Sequence, residues 1–254
     1  SARISFIAKI SNTGSWEWAQ KTTTMYESEL ALGPSGDIWM SSRPNYYSST
    51  ISRYNGTGDI QSTIQLSNIK VLDMSANSHD ELYFVGFFEN QASLAVNGST
   101  QSITANTGMD AVFGKLDSNG NGLWLSGVTN STSTSYFSKI AINEFDEIFA
   151  IGSFYSDIEI GSVSLSTDGT RNSFLAKINE NGQWQWANQF DCSCSVSAMD
   201  LEFDLDGNMY AVGHFTSGSS LNFGNGIMQF SAGSNKDGFI AKFDSNGFAQ
   251  WSKS

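Results

Sequence analysis

A short apolar pattern centred on one basic residue recurs five times along the chain. The first copy reads Phe6-Ile-Ala-Lys9-Ile10, and the later copies are centred on Arg53, Lys115, Lys177 and Lys242. The steps between the basic residues at positions 9, 53, 115, 177 and 242 are 44, 62, 62 and 65 residues. Such a period is the signature of a repeat architecture, in which each copy is one supersecondary unit packed on its neighbours. Most of what recurs should therefore serve packing rather than chemistry.

Each basic residue is followed by a polar turn and, in four copies, by tryptophan. The last copy continues Asp244-Ser-Asn-Gly247-Phe-Ala-Gln-Trp251. Asn-Gly between alternating apolar runs is a strong hairpin signal, because glycine tolerates the positive φ that tight turns need. A second hairpin precedes every copy after the first, in a weaker form at residues 30–40. Hairpin turns are predicted near Gly14, Gly36, Gly120, Gly182, Gly207 and Gly247.

The strand count sets the fold class. Each copy after the first supplies four strands, and residues 94–103, 158–165 and 221–230 add short glycine-turned hairpins. No stretch has amphipathic helical periodicity. We therefore predict an all-β chain, a β-propeller of about four four-stranded blades and an N-terminal half-blade, standing alone or as a segment of a larger propeller. A β-solenoid is the alternative, although its repeats are shorter. The copies span approximately 1–24, 25–68, 69–130, 131–192 and 193–254.

The half-blade at residues 1–21 lacks the hairpin that precedes every later copy. Its strands, predicted at 4–10 and 15–21, leave one sheet edge unpaired, and such edges invite strand addition. We expect the edge to be completed by upstream chain or by a neighbouring molecule joined head to tail. The alternative is that the gap only reflects where the chain was cut.

Composition narrows the partners. The chain has 254 residues with 39% hydrophobic and 15% charged content, and its net charge of -12 repels nucleic acids and anionic membranes. We therefore expect no nucleic-acid partner and no membrane insertion, and no apolar run reaches the length of a spanning helix. The chain opens in mid-strand without a signal peptide, as expected of a mature or excised product.

The best-preserved copy runs Gly213-His-Phe215, then Asp237-Gly-Phe-Ile-Ala-Lys-Phe-Asp-Ser-Asn-Gly247, then Trp251. It resembles the SBBP-type β-propeller repeats of secreted, multidomain proteins from Bacteroidota and other bacteria. The resemblance covers nearly the whole chain and is weakest at residues 41–68. It implies a propeller, export across the envelope, often by the type IX route, and a place on the cell surface or in the medium. It implies no shared catalytic motif.

Two residue clusters raise the question of a metal. Cys192 and Cys194 have three interpretations: a soft-metal ligand pair, a disulfide across one residue, or two inert thiols, which the sequence favours. Asp204, Asp206 and Asn208 have the oxygen density of a calcium loop but lack the bidentate Glu of an EF-hand. Their position in a recurring hairpin favours turn chemistry, with calcium as the alternative. No other cofactor is expected.

The aromatic residues divide by their relation to the repeat. Trp18, Trp124, Trp186 and Trp251 stand nine residues after their basic residues, which predicts packing between blades rather than ligand binding. The recurring lysines are expected to lay their stems along apolar surface with the charged heads in water. Trp39, Tyr46 and Tyr47 fall outside the pattern and are the candidates for exposed, ligand-binding rings.

Three functions remain open. The sequence favours a non-enzymatic, secreted or cell-surface propeller that acts as a scaffold, adhesion or protein-interaction module. A lectin-like glycan-binding domain is the alternative, with its site in the loops that differ between blades. A propeller-type polysaccharide-degrading enzyme is third, because no Gly-x-Ser-x-Gly elbow and no nucleophile beside His79 or His214 is present.

Overall fold

The computed structural model describes residues 5–22, 28–128, 131–216, 220–224, 229–231 and 236–254. Every regular element in these ranges is a β-strand. The strands pair in antiparallel fashion throughout, apart from a single parallel bridge between Val96 and Gly122. The prediction of an all-β chain is confirmed for this part of the protein.

The first nine strands form a two-stranded and a seven-stranded sheet. They are β1 (Ser5–Ile10), β2 (Trp16–Thr22), β3 (Leu30–Leu32), β4 (Ile38–Ser42), β5 (Ser49–Tyr54), β6 (Ile60–Ala76), β7 (Leu82–Val96), β8 (Ser99–Leu116) and β9 (Gly122–Gly127). We call β1 and β2 the N-terminal pair, since among the described strands they pair only with each other. The long β6 is shared, because residues 60–66 pair with β5 and residues 67–76 with β7. We therefore call β3 to the first half of β6 the first sheet, and the second half of β6 to β9 the second sheet.

Two further four-stranded sheets and two short hairpins follow. The strands are β10 (Ser135–Ile142), β11 (Ile148–Phe154), β12 (Ile158–Ile160), β13 (Val163–Leu165), β14 (Asn172–Ile178), β15 (Trp184–Phe190), β16 (Val196–Phe203), β17 (Met209–Thr216), β18 (Ser220–Asn222), β19 (Gln229–Ser231), β20 (Lys236–Phe243) and β21 (Ala249–Lys253). The third sheet has the order β10-β11-β14-β15 and the fourth β16-β17-β20-β21.

The predicted extra segments at 94–103, 158–165 and 221–230 all consist of antiparallel strands, but only the last two are separate hairpins. Strands β12 and β13 pair, and so do β18 and β19; residues 225–228, between the latter two, lie outside the described part of the chain. The segment at 94–103 is not a separate hairpin, because β7 and β8 continue straight through it after an irregularity at Glu89 to Gln91. The second sheet therefore carries one long two-stranded extension where the others carry a detached hairpin.

Turn chemistry is the same after Arg53, Lys115, Lys177 and Lys242. The predicted turn glycines all have positive φ, from 76° at Gly207 to 88° at Gly120, which confirms the turn predictions. In the second sheet, Asp117 Oδ1 accepts hydrogen bonds from the backbone N–H groups of Asn119 (2.9 Å) and Asn121 (2.8 Å). This side-chain acceptor fixes the turn locally, and Asn55, Asn179 and Asp244 repeat it.

The core consists of four apolar clusters, and each lies between two successive sheets. In the third sheet, Phe174 and Ile178 face the second sheet, whereas Ile151 and Leu175 face the fourth. Both faces of β11 are consequently buried, which explains its largely apolar sequence. The first strand of each sheet also contacts the first strand of the next sheet: β3 contacts β6, β6 contacts β10, and β10 contacts β16.

Candidate ligand-binding cleft

The loop between β4 and β5 presents two tyrosines at the surface. Asn45 Oδ1 accepts hydrogen bonds from the backbone N–H groups of Tyr47 (2.9 Å) and Ser48 (3.0 Å), so the loop backbone is held by its own turn. Tyr46 is 50% exposed and Tyr47 60% exposed, and their ring centroids lie 5.3 Å apart in an edge-to-face arrangement. The prediction that both rings are exposed is confirmed, while ligand binding by them stays a prediction.

The neighbouring second sheet forms the other wall of this cleft. Lys70 on β6 stands opposite Phe87 on β7, and its Nζ lies 4.9 Å from the centroid of Tyr46 and 5.1 Å from that of Phe87. Two asparagines with positive φ, Asn68 (57°) and Asn90 (61°), bend the backbone at the rim. We call the surface lined by Tyr46, Tyr47, Asn68, Lys70, Phe87, Glu89 and Asn90 the tyrosine cleft.

The tyrosine cleft combines ring faces with a cation, a carboxylate and amides. Such a mixture stacks on the apolar faces of a ligand and hydrogen-bonds its polar groups. The enclosed volume is only about 30 Å³, roughly the share of one water molecule in the liquid. A ligand would therefore lie across the surface of the cleft rather than inside a pocket.

Trp39, the third aromatic candidate, was wrongly predicted to be exposed. Its ring is 1% exposed and lies in the cluster between the first and second sheets. It pairs across the strands with Arg53, whose guanidinium lies 5.6 Å from the ring, and its Nε1 has no hydrogen-bond partner among the described residues. The sequence did contain a signal that Trp39 belongs to the repeat. Trp39 stands two positions after the acidic residue Asp37, as Tyr83 stands after Glu81 and Phe149 after Glu147.

The tryptophans at the recurring position pack against the turn of the next sheet. Trp124 Nε1 donates to the carbonyl of Glu180 (3.2 Å), and Trp18 Nε1 donates to that of Gly56 (3.0 Å). Packing between sheets is thus confirmed for Trp18 and Trp124. Trp124 and Trp186 are nevertheless only half-buried, whereas Phe174 of the third sheet is completely buried.

The recurring lysines are less exposed than predicted. Lys115 has a side chain that is 7% exposed, forms an ion pair with Glu81 (2.7 Å) and lies 5.0 Å from the ring centroid of Tyr83. Burial alone lowers the pKa of Lys115, but its hydrogen bonds to Glu81 and Tyr83 and their charges raise that pKa above its ordinary value. Lys9, which pairs with Glu17 on an exposed face, meets the expectation of a charged head in water.

The residues proposed to bind calcium form a turn in which the Asp204 carboxylate already accepts several hydrogen bonds. Asp204 accepts hydrogen bonds from the backbone N–H groups of Asp206 (3.0 Å) and Asn208 (2.8 Å), from the Asn208 amide and from the Tyr210 hydroxyl (2.9 Å). The Asn208 amide is the main reason that the pKa of Asp204 is lowered to about 2. This is the turn chemistry that the sequence favoured, and the calcium assignment stays a prediction. Within the described ranges, no three His, Cys, Asp or Glu side chains are grouped to hold a metal ion.

Cys192 and Cys194 form a disulfide, so the favoured interpretation of two inert thiols was wrong. Both residues are buried in the cluster between the third and fourth sheets. The disulfide lies in the connection between β15 and β16, residues 191–195, and only one residue separates the two cysteines.

Sequence reasoning missed an acidic cleft of about 440 Å³, which lies along β3, β6, β10 and β16, the first strands of the four larger sheets. Asp73 and Glu202 line it, and burial raises the pKa of each carboxyl above its ordinary value. Asp73 also accepts hydrogen bonds from the Ile140 N–H (2.9 Å) and from Lys139 Nζ (3.3 Å), which ties β6 to β10. The available signal was that a charged residue recurs at one position of the repeat. The equivalent residues are Glu29 just before β3, Asp73 on β6, Lys139 on β10 and Asp200 on β16.

No protein-family model matches the sequence, and no curated protein matches it. Among the described residues, no helix is long and apolar enough to cross a membrane. The function of the chain is therefore inferred from its geometry.

Proposed function

We propose that the chain is a stretch of β-propeller in which each four-stranded sheet is one blade and the N-terminal pair is half a blade. Serial packing of the sheets through four apolar clusters supports this arrangement, and so does the serial contact of the first strands. The resemblance to SBBP-type repeats agrees with it. The acidic cleft then lies along the innermost strands.

We also propose that the protein works outside the cytoplasm, secreted or on a bacterial cell surface. The disulfide between Cys192 and Cys194 supports this location, because disulfides persist in oxidising compartments. The resemblance to exported repeat proteins points to the same place.

The function that the geometry supports best is a non-enzymatic adhesion module that binds a glycan at the tyrosine cleft. The observation that carries it is the half-exposed pair Tyr46 and Tyr47 in a loop whose backbone is fixed. These rings lie outside the recurring pattern, so packing between sheets does not account for them. An open surface of rings flanked by Lys70 and Glu89 suits a sugar, which offers apolar C–H faces and a rim of hydroxyls.

A protein-interaction scaffold is the second candidate. Exposed apolar residues on the two end faces of the sheet series favour it, and these faces are developed below. A polysaccharide-degrading enzyme has less support. The buried carboxyl of Asp73 in the acidic cleft is engaged by Lys139 and Ile140 from the neighbouring sheet, which is a structural tie rather than a poised acid.

A glycan array tests the proposal. The parent chain is expected to bind a defined set of glycans, and Tyr46→Ala and Tyr47→Ala are each expected to weaken that binding at least tenfold. Phe145→Ala is the matched control, since Phe145 is an exposed aromatic side chain in a turn of the third sheet. Folded parent protein that binds no glycan would refute the ligand class. Binding that survives both tyrosine substitutions would refute the site.

A further inference from the structure

The junctions between successive sheets share one contact. The residue nine positions after each basic residue lies against the turn glycine of the next sheet. A Cβ built on that glycine would come within 2.7 Å of Trp18 at Gly58, 3.1 Å of Trp124 at Gly182 and 2.5 Å of Trp186 at Gly247. The first sheet has Ser62 at this position, and Ser62 lies against Gly120 in the same way. The contact is therefore made at all four junctions.

Among the described residues, no sheet packs against the same forward face of the fourth sheet. Ile151 and Leu175 of the third sheet are completely buried against the fourth. The residues at the same register of the fourth sheet are Val212 and Ile240, which pair across β17 and β20 and are each 37% exposed. Lys242 stands opposite Trp251 on this face, as Lys177 stands opposite Trp186. We call Tyr210, Val212, Ile240, Lys242 and Trp251 the forward end face.

The complementary backward face of the N-terminal pair likewise has no sheet packed against it in the described part of the chain. Phe174 and Ile178 of the third sheet are buried against the second, whereas their equivalents Phe6 and Ile10 are 67% and 52% exposed. Gly14 differs from the other four turn glycines, because a Cβ built on it would meet nothing within 4 Å. We call Phe6, Ile10, the Gly14 turn and the exposed Trp16 the backward end face.

We propose that the two end faces bind each other between copies of this chain. The forward end face of one copy docks on the backward end face of a second copy, and Trp251 takes the place against Gly14 that Trp186 takes against Gly247. The occupant is a second copy because each face has, within this same chain, a buried counterpart that binds the other kind of face at every internal junction. The contact is heterologous, so it produces open chains or a closed ring rather than a symmetric dimer.

The unlike character of the two faces allows a decisive experiment. Sedimentation velocity and light scattering of the 254-residue chain are expected to show concentration-dependent association. Phe6→Glu blocks the backward end face and Ile240→Glu the forward end face, so each variant alone is expected to be monomeric, with self-association weakened at least tenfold. An equimolar mixture retains one intact face of each kind and is expected to form a one-to-one dimer and nothing larger.

Ile60→Glu is the matched control, because Ile60 is an exposed apolar strand residue outside both end faces, and it should associate like the parent. Circular dichroism and thermal melting test whether each variant is folded. If Ile240→Glu is not folded, Trp251→Ala is used in its place to disrupt the forward end face. A parent chain that stays monomeric at every concentration overturns the proposal. Self-association of the Ile240→Glu variant alone also overturns it, since that result requires a contact between like faces.

Discussion

Replacement of Gly58 by alanine isolates the contact between a tryptophan and the next turn. Gly36 and Gly58 lie in two turns of the same sheet and both have a φ of 87°, so alanine is equally strained at either position. They differ in their surroundings. A Cβ on Gly36 would meet nothing within 4 Å, whereas a Cβ on Gly58 would lie 2.7 Å from Trp18 Cδ2. The difference between the two variants therefore measures the packing contact.

The expected magnitudes follow from these two effects. Left-handed backbone costs a non-glycine residue about 1–2 kcal/mol, and this is the whole expected loss for Gly36→Ala. Gly58→Ala adds overpacking against an indole that is also held by its hydrogen bond to the Gly56 carbonyl, at about 1–3 kcal/mol. Gly58→Ala should thus reduce the free energy of unfolding by about 2–5 kcal/mol.

Urea unfolding followed by far-UV circular dichroism gives both values. A double-mutant cycle provides the sharper test, because in a Trp18→Ala background the space for the new methyl group is free and the excess cost of Gly58→Ala should vanish. Equal destabilisation by Gly36→Ala and Gly58→Ala in the parent would refute the conclusion that this contact stabilises the junction.

Three further predictions concern charged groups. Glu81→Gln should cost about 2–3 kcal/mol in urea unfolding because it leaves Lys115 buried without its counter-ion, whereas Glu17→Gln on the exposed pair should cost less than about 1 kcal/mol; equal losses would contradict this. The pKa of Asp204 is about 2 in the folded chain against 3.8 ordinarily, so its stabilising contribution is present above pH 3.8 and lost as the pH falls through about 2; NMR titration of its carboxyl with a midpoint near 4 would be the opposing result. Asn208→Glu should lower the melting temperature by facing Asp204 with a second carboxylate, and adding Asp204→Asn should restore it; a double variant no more stable than the single one would refute the pairing.

The sequence was sufficient for the strands and turns because these depend on local signals. Period-two alternation, Asx acceptors and turn glycines act within a few residues, and they recur in every copy. The long shared strand β6 could not be predicted, since the first and second sheets are joined without a turn at residues 66–68 and only the register of β5 and β7 reveals the division. The continuous extension of β7 and β8 was missed for the same reason.

The side-chain environment was harder to predict, because it depends on which sheet lies opposite. Trp39 looked unusual by its residue type, yet it occupies the register of Tyr83 and Phe149, where each of the first three sheets buries an aromatic ring beside its basic residue. Tyr46 and Tyr47 were correctly placed at the surface, since their loop replaces a recurring hairpin. Lys70 and Phe87 could not be assigned to the same cleft, because they belong to the next sheet and come close only through packing.

The fourth sheet shows why composition alone could suggest calcium at a turn. In the second and third sheets, an asparagine at the turn donates through Nδ2 to a glutamate four positions later, Asn77 to Glu81 (2.8 Å) and Asn143 to Glu147 (2.8 Å). The fourth sheet reverses the polarity, so that Asn208 donates to Asp204 over the same 2.8 Å. The carboxylate thereby moves from the strand to the turn, beside Asp206, and Lys242 loses the acidic neighbour that Lys115 and Lys177 have. The concentration of oxygen atoms at Asp204 thus follows from a swapped donor and acceptor within the turn. The same swap leaves Lys242 without that acid on the forward end face, next to Trp251.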